Sequence, residues 1–120
     1  MVIFVTGKAG AGKTTYASRL AEELLAAGHK VRMLDGDDIR KVNKDQDFSD
    51  AGRQTHLLNM ARNAGHSERL GFTVIVAAIA PKAAWRREMR AAWQESTMVY
   101  LPGGTLWEGT EYERPEFDEF

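Results

Sequence analysis

Apolar positions fall into four short runs, separated by amphipathic and polar stretches. The runs at 2–6, 31–34, 73–79 and 97–101 are rich in β-branched and aromatic residues, so each predicts a strand. The run at 73–79 is apolar throughout, as a strand covered on both faces requires, and Pro81 ends it. Between the runs the spacing becomes helical. Residues 13–27 place Tyr16, Leu20, Leu24 and Leu25 on one stripe, with Gly28 as the stop. A short helix is predicted over 37–41, a polar loop over 42–49, and a long helix over 50–70 whose continuity Gly52 and Gly65 weaken. Residues 82–94 predict a further helix, with Trp85, Met89 and Trp93 at i, i+4 and i+8. Pro102, Gly103 and Gly104 end the last strand.

Strands alternating with helices predict a three-layer α/β sandwich around a small parallel sheet of about four strands, joined by right-handed crossovers. The 120 residues suit one domain, and 43% apolar with 28% charged residues is the balance of a globular chain. The net charge of −1 gives no bulk attraction to nucleic acid or membrane. Cysteine is absent, which excludes disulfides, thiolate metal sites and cysteine nucleophiles. His29, His56 and His66 show no metal-ligand spacing. No apolar stretch approaches the roughly 20 residues that span a bilayer, and no secretory leader is recognisable, so a cytoplasmic protein is expected. The division expected is a core over 1–101 and an acidic segment over 102–120. From Glu108 onward there are six acids and one base, Arg114, leaving residues 1–107 at +4. Such a tail either folds back over a basic cleft or stays solvated.

The first strand leads into Gly7-Lys8-Ala9-Gly10-Ala11-Gly12-Lys13-Thr14, a complete G-x-x-x-x-G-K-[ST] loop opening a helix. Glycines let consecutive backbone N–H groups converge on an anion, and the helix N-terminus adds partial positive charge. Gly7, Ala9, Gly10, Ala11, Gly12, Lys13, Thr14 and Thr15 are therefore the expected ATP contacts, within a P-loop NTPase-type fold. Lys13 reaches the β- and γ-phosphates, and the Thr14 hydroxyl takes one Mg²⁺ position. A kinase is favoured over a switch GTPase or motor ATPase. The chain has little room for base-recognition and switch segments, and the 73–79 strand ends in Ala80-Pro81, without an acid to position a hydrolytic water.

Acids cluster instead at the end of the second strand, in Leu34-Asp35-Gly36-Asp37-Asp38-Ile39-Arg40. Strand carboxyl ends share one sheet edge, so Asp35 and Asp37 are expected to face the bound phosphates, with Asp35 beside Thr14 as a metal ligand. Asp37 is the candidate to orient an acceptor hydroxyl and take its proton, and Arg40 the candidate for a substrate anion. The alternative is structural: Asp35 or Asp37 as a helix cap, with Arg40 on a solvated face.

Three blocks make the chain resemble the adenylylsulfate (APS) kinase family of P-loop kinases. They are the loop at 7–15, the block Leu34 to Arg40 (like L-D-G-D-N-x-R), and Val74 to Pro81 (like V-I-V-A-x-I-S-P). Asn43, Phe48-Ser49 and Arg53 are similar to the stretch between the last two. The resemblance implies a kinase using ATP and Mg²⁺ to phosphorylate an alcohol, foremost adenylylsulfate. It makes Asp37 the acceptor-activating carboxylate. Arg40 and Arg53 would hold the phosphosulfate, Phe48 would stack on the adenine, and His56 would stand where the family has Asn. Phe48 as a core aromatic and Arg53 as a surface arginine are the ordinary alternatives.

The departures are Leu58 and Asn59 for basic residues, Ala80 for Ser, and above all a missing basic lid after the fourth strand. Its cations would have to come from Lys82, Arg86, Arg87 or Arg90, from a second chain, or from the substrate complex. An open acceptor side also suits a nucleic-acid hydroxyl kinase, acting on polynucleotide 5′-hydroxyls or 5-hydroxymethylpyrimidines in DNA. Lys82, Trp85, Arg86, Arg87, Arg90 and Trp93 would then form a basic and aromatic strip, unless the aromatics pack inward and the bases are merely solvated. A third possibility is a non-catalytic nucleotide-binding module. The small sheet leaves edges and Trp93 or Trp107 to cover, which favours a homodimer.

Overall fold

The computed structural model describes residues 1–44, 47–105 and 111–120. The chain runs β1 (Val2–Gly7), α1 (Lys13–Ala26), β2 (Val31–Asp35), α2 (Gly36–Asn43), α3 (Asp50–Arg69), β3 (Thr73–Ala78), α4 (Ala83–Ala91) and β4 (Ser96–Leu101). A 3₁₀ turn follows at Phe117–Glu119. The four strands are parallel and ordered β2-β3-β1-β4. No helix among the described residues is long and apolar enough to cross a membrane.

Period-2 alternation divides the core between the two sheet faces. Val2 and Phe4 of β1 and Val74, Val76 and Ala78 of β3 meet α3 and α4 through Leu57, Met60, Ala64, Trp85 and Met89. Val5, Ile75 and Ala77 face α1. The stripe α1 buries is Ala17, Leu20, Ala21 and Leu24, which keeps Leu20 and Leu24 of the expected one and replaces Tyr16 and Leu25. Tyr16 and Leu25 are exposed, because small alanines let the helix lie close to the sheet. The loop expected over 42–49 begins later: α2 continues to Asn43, and Lys44 caps it in the left-handed region at φ 54°. Helix α3 runs unbroken through Gly52 and Gly65. Both glycines admit a close neighbour instead: a Cβ would lie 2.2 Å from the Asp47 carboxyl carbon at Gly52 and 2.6 Å from the Ala92 carbonyl oxygen at Gly65.

Trp85 and Trp93 are buried, as the i, i+4, i+8 spacing indicated. Trp93 meets the Phe4 ring edge-on at 5.6 Å and donates to the Ala61 carbonyl at 2.9 Å, so it is covered within its own chain. It offers nothing to a dimer. Trp107 lies outside the described residues.

Of the helix bases, Arg87 is exposed, whereas Arg86 and Arg90 are engaged. Arg86 is completely buried. Its guanidinium donates to the Ala80 carbonyl at 2.6 Å, to the Glu113 carbonyl at 2.7 Å and to the Glu119 carboxylate. Arg90 donates to Ser96 and to the Glu119 carbonyl. Glu113 accepts from the Ala83 amide at 3.1 Å with its side chain, and its own amide donates to the Pro81 carbonyl at 2.7 Å. These contacts fix residues 113–119 against α4, and a buried charge such as Arg86 needs them.

Candidate active site

The carboxyl ends of β1, β2 and β3 meet at one sheet edge, where two cavities adjoin. The first, about 240 Å³, is lined by Ala9, Gly10, Gly12, Lys13, Thr14, Thr15, Asp35, Asp37 and the end of β3. Gly10 and Gly12 hold φ at 77° and 92°, the left-handed region that side chains resist. Gly12 is also the N-cap of α1, so the loop delivers the chain directly to a helix N-terminus. Of the other expected contacts, Gly7 ends β1 against the Leu101 carbonyl, and Ala11 lines an adjoining groove that shares Gly12 and Thr15 with this cavity.

Lys13 is buried, and its ammonium donates to the Lys8 carbonyl across the loop at 2.8 Å. Burial pushes its pKa below the ordinary lysine value, against the opposing pull of Asp37 and Asp35. The Thr14 hydroxyl donates to Asp35 Oδ2 at 2.6 Å. Oδ1 of the same carboxylate accepts from the amides of Asp37 and Asp38, at 3.0 and 3.3 Å. Asp35 is therefore the N-cap of α2 as well as the partner of the loop threonine. Among the described residues no group of three or more His, Asp or Glu is placed to hold a metal. Thr14 and Asp35 still supply two hard oxygen donors at one point, which fits a Mg²⁺ ion whose other ligands are phosphates and water.

The second cavity is lined by Gly36, Asp37, Arg40, Phe48, Arg53, His56, Leu57 and the Ala78–Pro81 stretch. Asp37, Ala78 and Ile79 belong to both cavities. Three elements bring these residues together. Helix α2 presents Asp37 and Arg40 one turn apart, and α3 presents Arg53 and His56 one turn apart. The segment before α3 supplies Phe48, and Ser49 caps that helix by accepting from the Gly52 amide at 3.1 Å. Arg40 stacks on Phe48, 4.7 Å from the ring centroid, and donates to the Asp47 carbonyl at 3.2 Å. Phe48 is 47% exposed, so it is not a core aromatic.

The expected strip on α4 is broken up. Of its bases, Arg86 is enclosed, Arg90 is bound to Ser96 and Glu119, Lys82 pairs with Asp50 at 3.3 Å at the surface, and Arg87 is exposed. Arg86 and Arg90 are therefore not substitutes for lid cations.

Sequence reasoning missed Tyr112. Its hydroxyl shares a 2.7 Å hydrogen bond with Thr6, the last buried residue before the loop glycine Gly7. It stacks on Tyr100 of β4, and the Arg86 guanidinium lies 5.3 Å from its ring centroid. Burial raises the phenol pKa above its ordinary value, and the bond to Thr6 opposes that. A tyrosine within an acidic run carries no local sign of such a position.

The chain matches the adenylylsulphate kinase family over residues 1–102. The adenylyl-sulfate kinase of Deinococcus deserti is 44% identical over 101 residues, which is 83% of this chain and 56% of that relative. The probable adenylyl-sulfate kinase of Archaeoglobus fulgidus is 37% identical over 82% of this chain and 64% of its own length. This chain thus spans little more than half of the first relative and under two-thirds of the second. Among solved structures, the Mycobacterium tuberculosis APS kinase CysC in complex with AMPPNP and APS superposes with a TM-score of 0.77. It is 32% identical over 84% of this chain and 61% of that one.

Proposed function

Because the chain belongs to the adenylylsulphate kinase family, we propose that it uses ATP to phosphorylate a hydroxyl of adenylylsulfate. The observation that carries this is the position of Asp37, on the wall shared by the nucleotide cleft and the pocket beside it. In this proposal residues 1–101 are the catalytic core and 102–120 an acidic segment, whose described residues Thr105, Tyr112, Glu113 and Glu119 contact it.

In the proposed reaction the acceptor oxygen attacks the γ-phosphorus in line. The bond from that phosphorus to the β–γ bridging oxygen breaks, and ADP leaves. Asp37 orients the acceptor hydroxyl and takes its proton. Lys13 offers its ammonium to the β- and γ-phosphates, and the loop amides hold their oxygens. Mg²⁺, held by Thr14 and Asp35, would neutralise charge on the phosphate oxygens when bound. Arg40 and Arg53 hold the phosphosulfate, Phe48 stacks on the adenine, and His56 lines the same pocket. With Arg86 and Arg90 engaged by the C-terminal segment, the cations at the reacting group are Lys13, Arg40 and Arg53, with Lys82 and Arg87 left as the α4 candidates.

The test is transfer of labelled γ-phosphate from ATP. Adenylylsulfate is offered in one reaction, and DNA bearing 5′- or base-attached hydroxyls in another. Label on adenylylsulfate alone is expected. Label on DNA alone would overturn the acceptor, and ATP binding with no label in either reaction would make this a nucleotide-binding module.

A further inference from the structure

A glycine-rich loop binds phosphate well only when its amides already converge, because ordering each residue on binding costs conformational entropy. Lys8, Gly10 and Gly12 have little side-chain packing of their own to supply that order: Gly10 and Gly12 are exposed, and nothing lies within 4 Å of a Cβ built on either. Inside the loop the Lys8 carbonyl accepts from the Lys13 ammonium at 2.8 Å and from the Ala11 amide at 3.2 Å, and further order comes from outside it.

Two contacts from the chain beyond β4 supply it. Strand β4 ends in register with the loop, Leu101 paired with Gly7. The chain then turns through Pro102 and Gly103 and crosses the outer face of the loop. There the Thr105 amide donates to the Ala9 carbonyl at 2.8 Å, and the two residues form an isolated antiparallel bridge. Gly104 lies so close that a Cβ on it would sit 2.3 Å from the Ala9 carbonyl oxygen and 2.9 Å from the Ala11 nitrogen. Its φ of 70° would also strain any other residue. The second contact is at the loop's root, where the Tyr112 hydroxyl meets Thr6 at 2.7 Å. Tyr112 is itself held by Tyr100 and Arg86.

We propose that Gly104, Thr105 and Tyr112 are positioning residues for nucleotide, bracing the phosphate loop from its outer turn and from its root. The brace touches neither phosphate nor acceptor. It acts on the Ala9–Ala11 backbone and on the residue that leads into Gly7. The proposal rests on the nucleotide-binding role assigned to the loop above.

The test uses the full chain as Gly104→Ala and Tyr112→Phe, the second standing in if the first does not fold. Amide exchange of residues 8–12 is read without nucleotide, and MgATP affinity by calorimetry. Faster exchange confined to the loop, and affinity lower by about tenfold (about 1.4 kcal/mol), are expected. A fall in melting temperature with loop exchange and affinity unchanged would overturn the proposal, as would no change at all. Failure of the wild-type chain to bind MgATP would count against the kinase assignment, while loop exchange would still decide the brace.

Discussion

The hydroxyl of Thr14 and the carboxylate of Asp35 stand 2.6 Å apart, which joins the first turn of α1 to the N-cap of α2. One aspartate therefore fixes two things: the threonine at the metal position and the helix that carries Asp37 and Arg40. Changing it to alanine removes both. The cap is worth about 0.5–2 kcal/mol and the hydroxyl bond about 0.5–1.5 kcal/mol. Asp35→Ala should lower unfolding free energy in urea by about 1–3 kcal/mol and raise the Mg²⁺ concentration needed for half-maximal transfer. A stability loss with unchanged Mg²⁺ dependence would leave Asp35 as a cap alone.

Asp37 is exposed and carries no cap, so its removal should leave the fold intact. Asp37→Asn keeps the shape and loses the base. Transfer should fall by about 10²–10⁴-fold in kcat, the usual range for a positioned proton acceptor. MgATP affinity should fall far less than the rate, since Asp37 lines the cleft and acts on Lys13 through its charge alone. Single-turnover rates beside calorimetric ATP affinity separate the two. Loss of affinity in proportion to rate would place Asp37 in nucleotide binding.

The strands and the phosphate loop were legible because both are local. Runs such as Val74 to Ala78 alternate onto two buried faces, and the loop's glycines sit at fixed spacing before a helix. The pairing of Asp37 with the Arg53 and His56 pocket came from the resemblance to the APS kinase family; spacing by itself placed only Arg53 and His56 one turn apart. What the sequence hid depended on distant partners. Tyr16 and Leu25 look core-forming by composition, yet Ala17 and Ala21 set the approach of α1. Arg86 reads as one base in a run of bases. Its burial follows from Glu119 and the Glu113 carbonyl, which no local pattern around residue 86 announces.

Lys13 sets a pH dependence. Its pKa is lowered first by burial, with Asp37 and Asp35 raising it in part, so it stays below the ordinary 10.5. The charged form holds the phosphates. MgATP affinity should therefore fall as pH rises through the lowered lysine pKa, beginning before an exposed lysine would titrate. The stability sign is opposite. The unfolded chain binds the Lys13 proton more tightly, so folding is disfavoured below the folded pKa, and this cost is relieved as pH rises from the folded pKa to 10.5. Calorimetric affinity at fixed free Mg²⁺ from neutral to alkaline pH tests the first claim. Lys13→Met should bind weakly with a flat profile, and a matching decline in that variant would exclude Lys13 as the titrating group.

Arg86 and Glu119 form an enclosed ion pair whose side chains are 0% and 8% exposed. Breaking one half strands the other charge away from water, which costs about 3–5 kcal/mol for a buried pair. Arg86→Met should therefore lose about that much unfolding free energy in urea, and the Ala80 and Glu113 carbonyls would lose a donor as well. Glu119→Gln keeps a carbonyl acceptor and the shape, so it should lose less, about 1.5–3 kcal/mol for a charge-assisted hydrogen bond. The double variant Arg86→Met with Glu119→Leu should recover part of the single-variant loss, because no unpaired charge remains inside. Equal losses in the single and double variants would mean that the carbonyl bonds of Arg86, and not its charge, hold the C-terminal segment to α4.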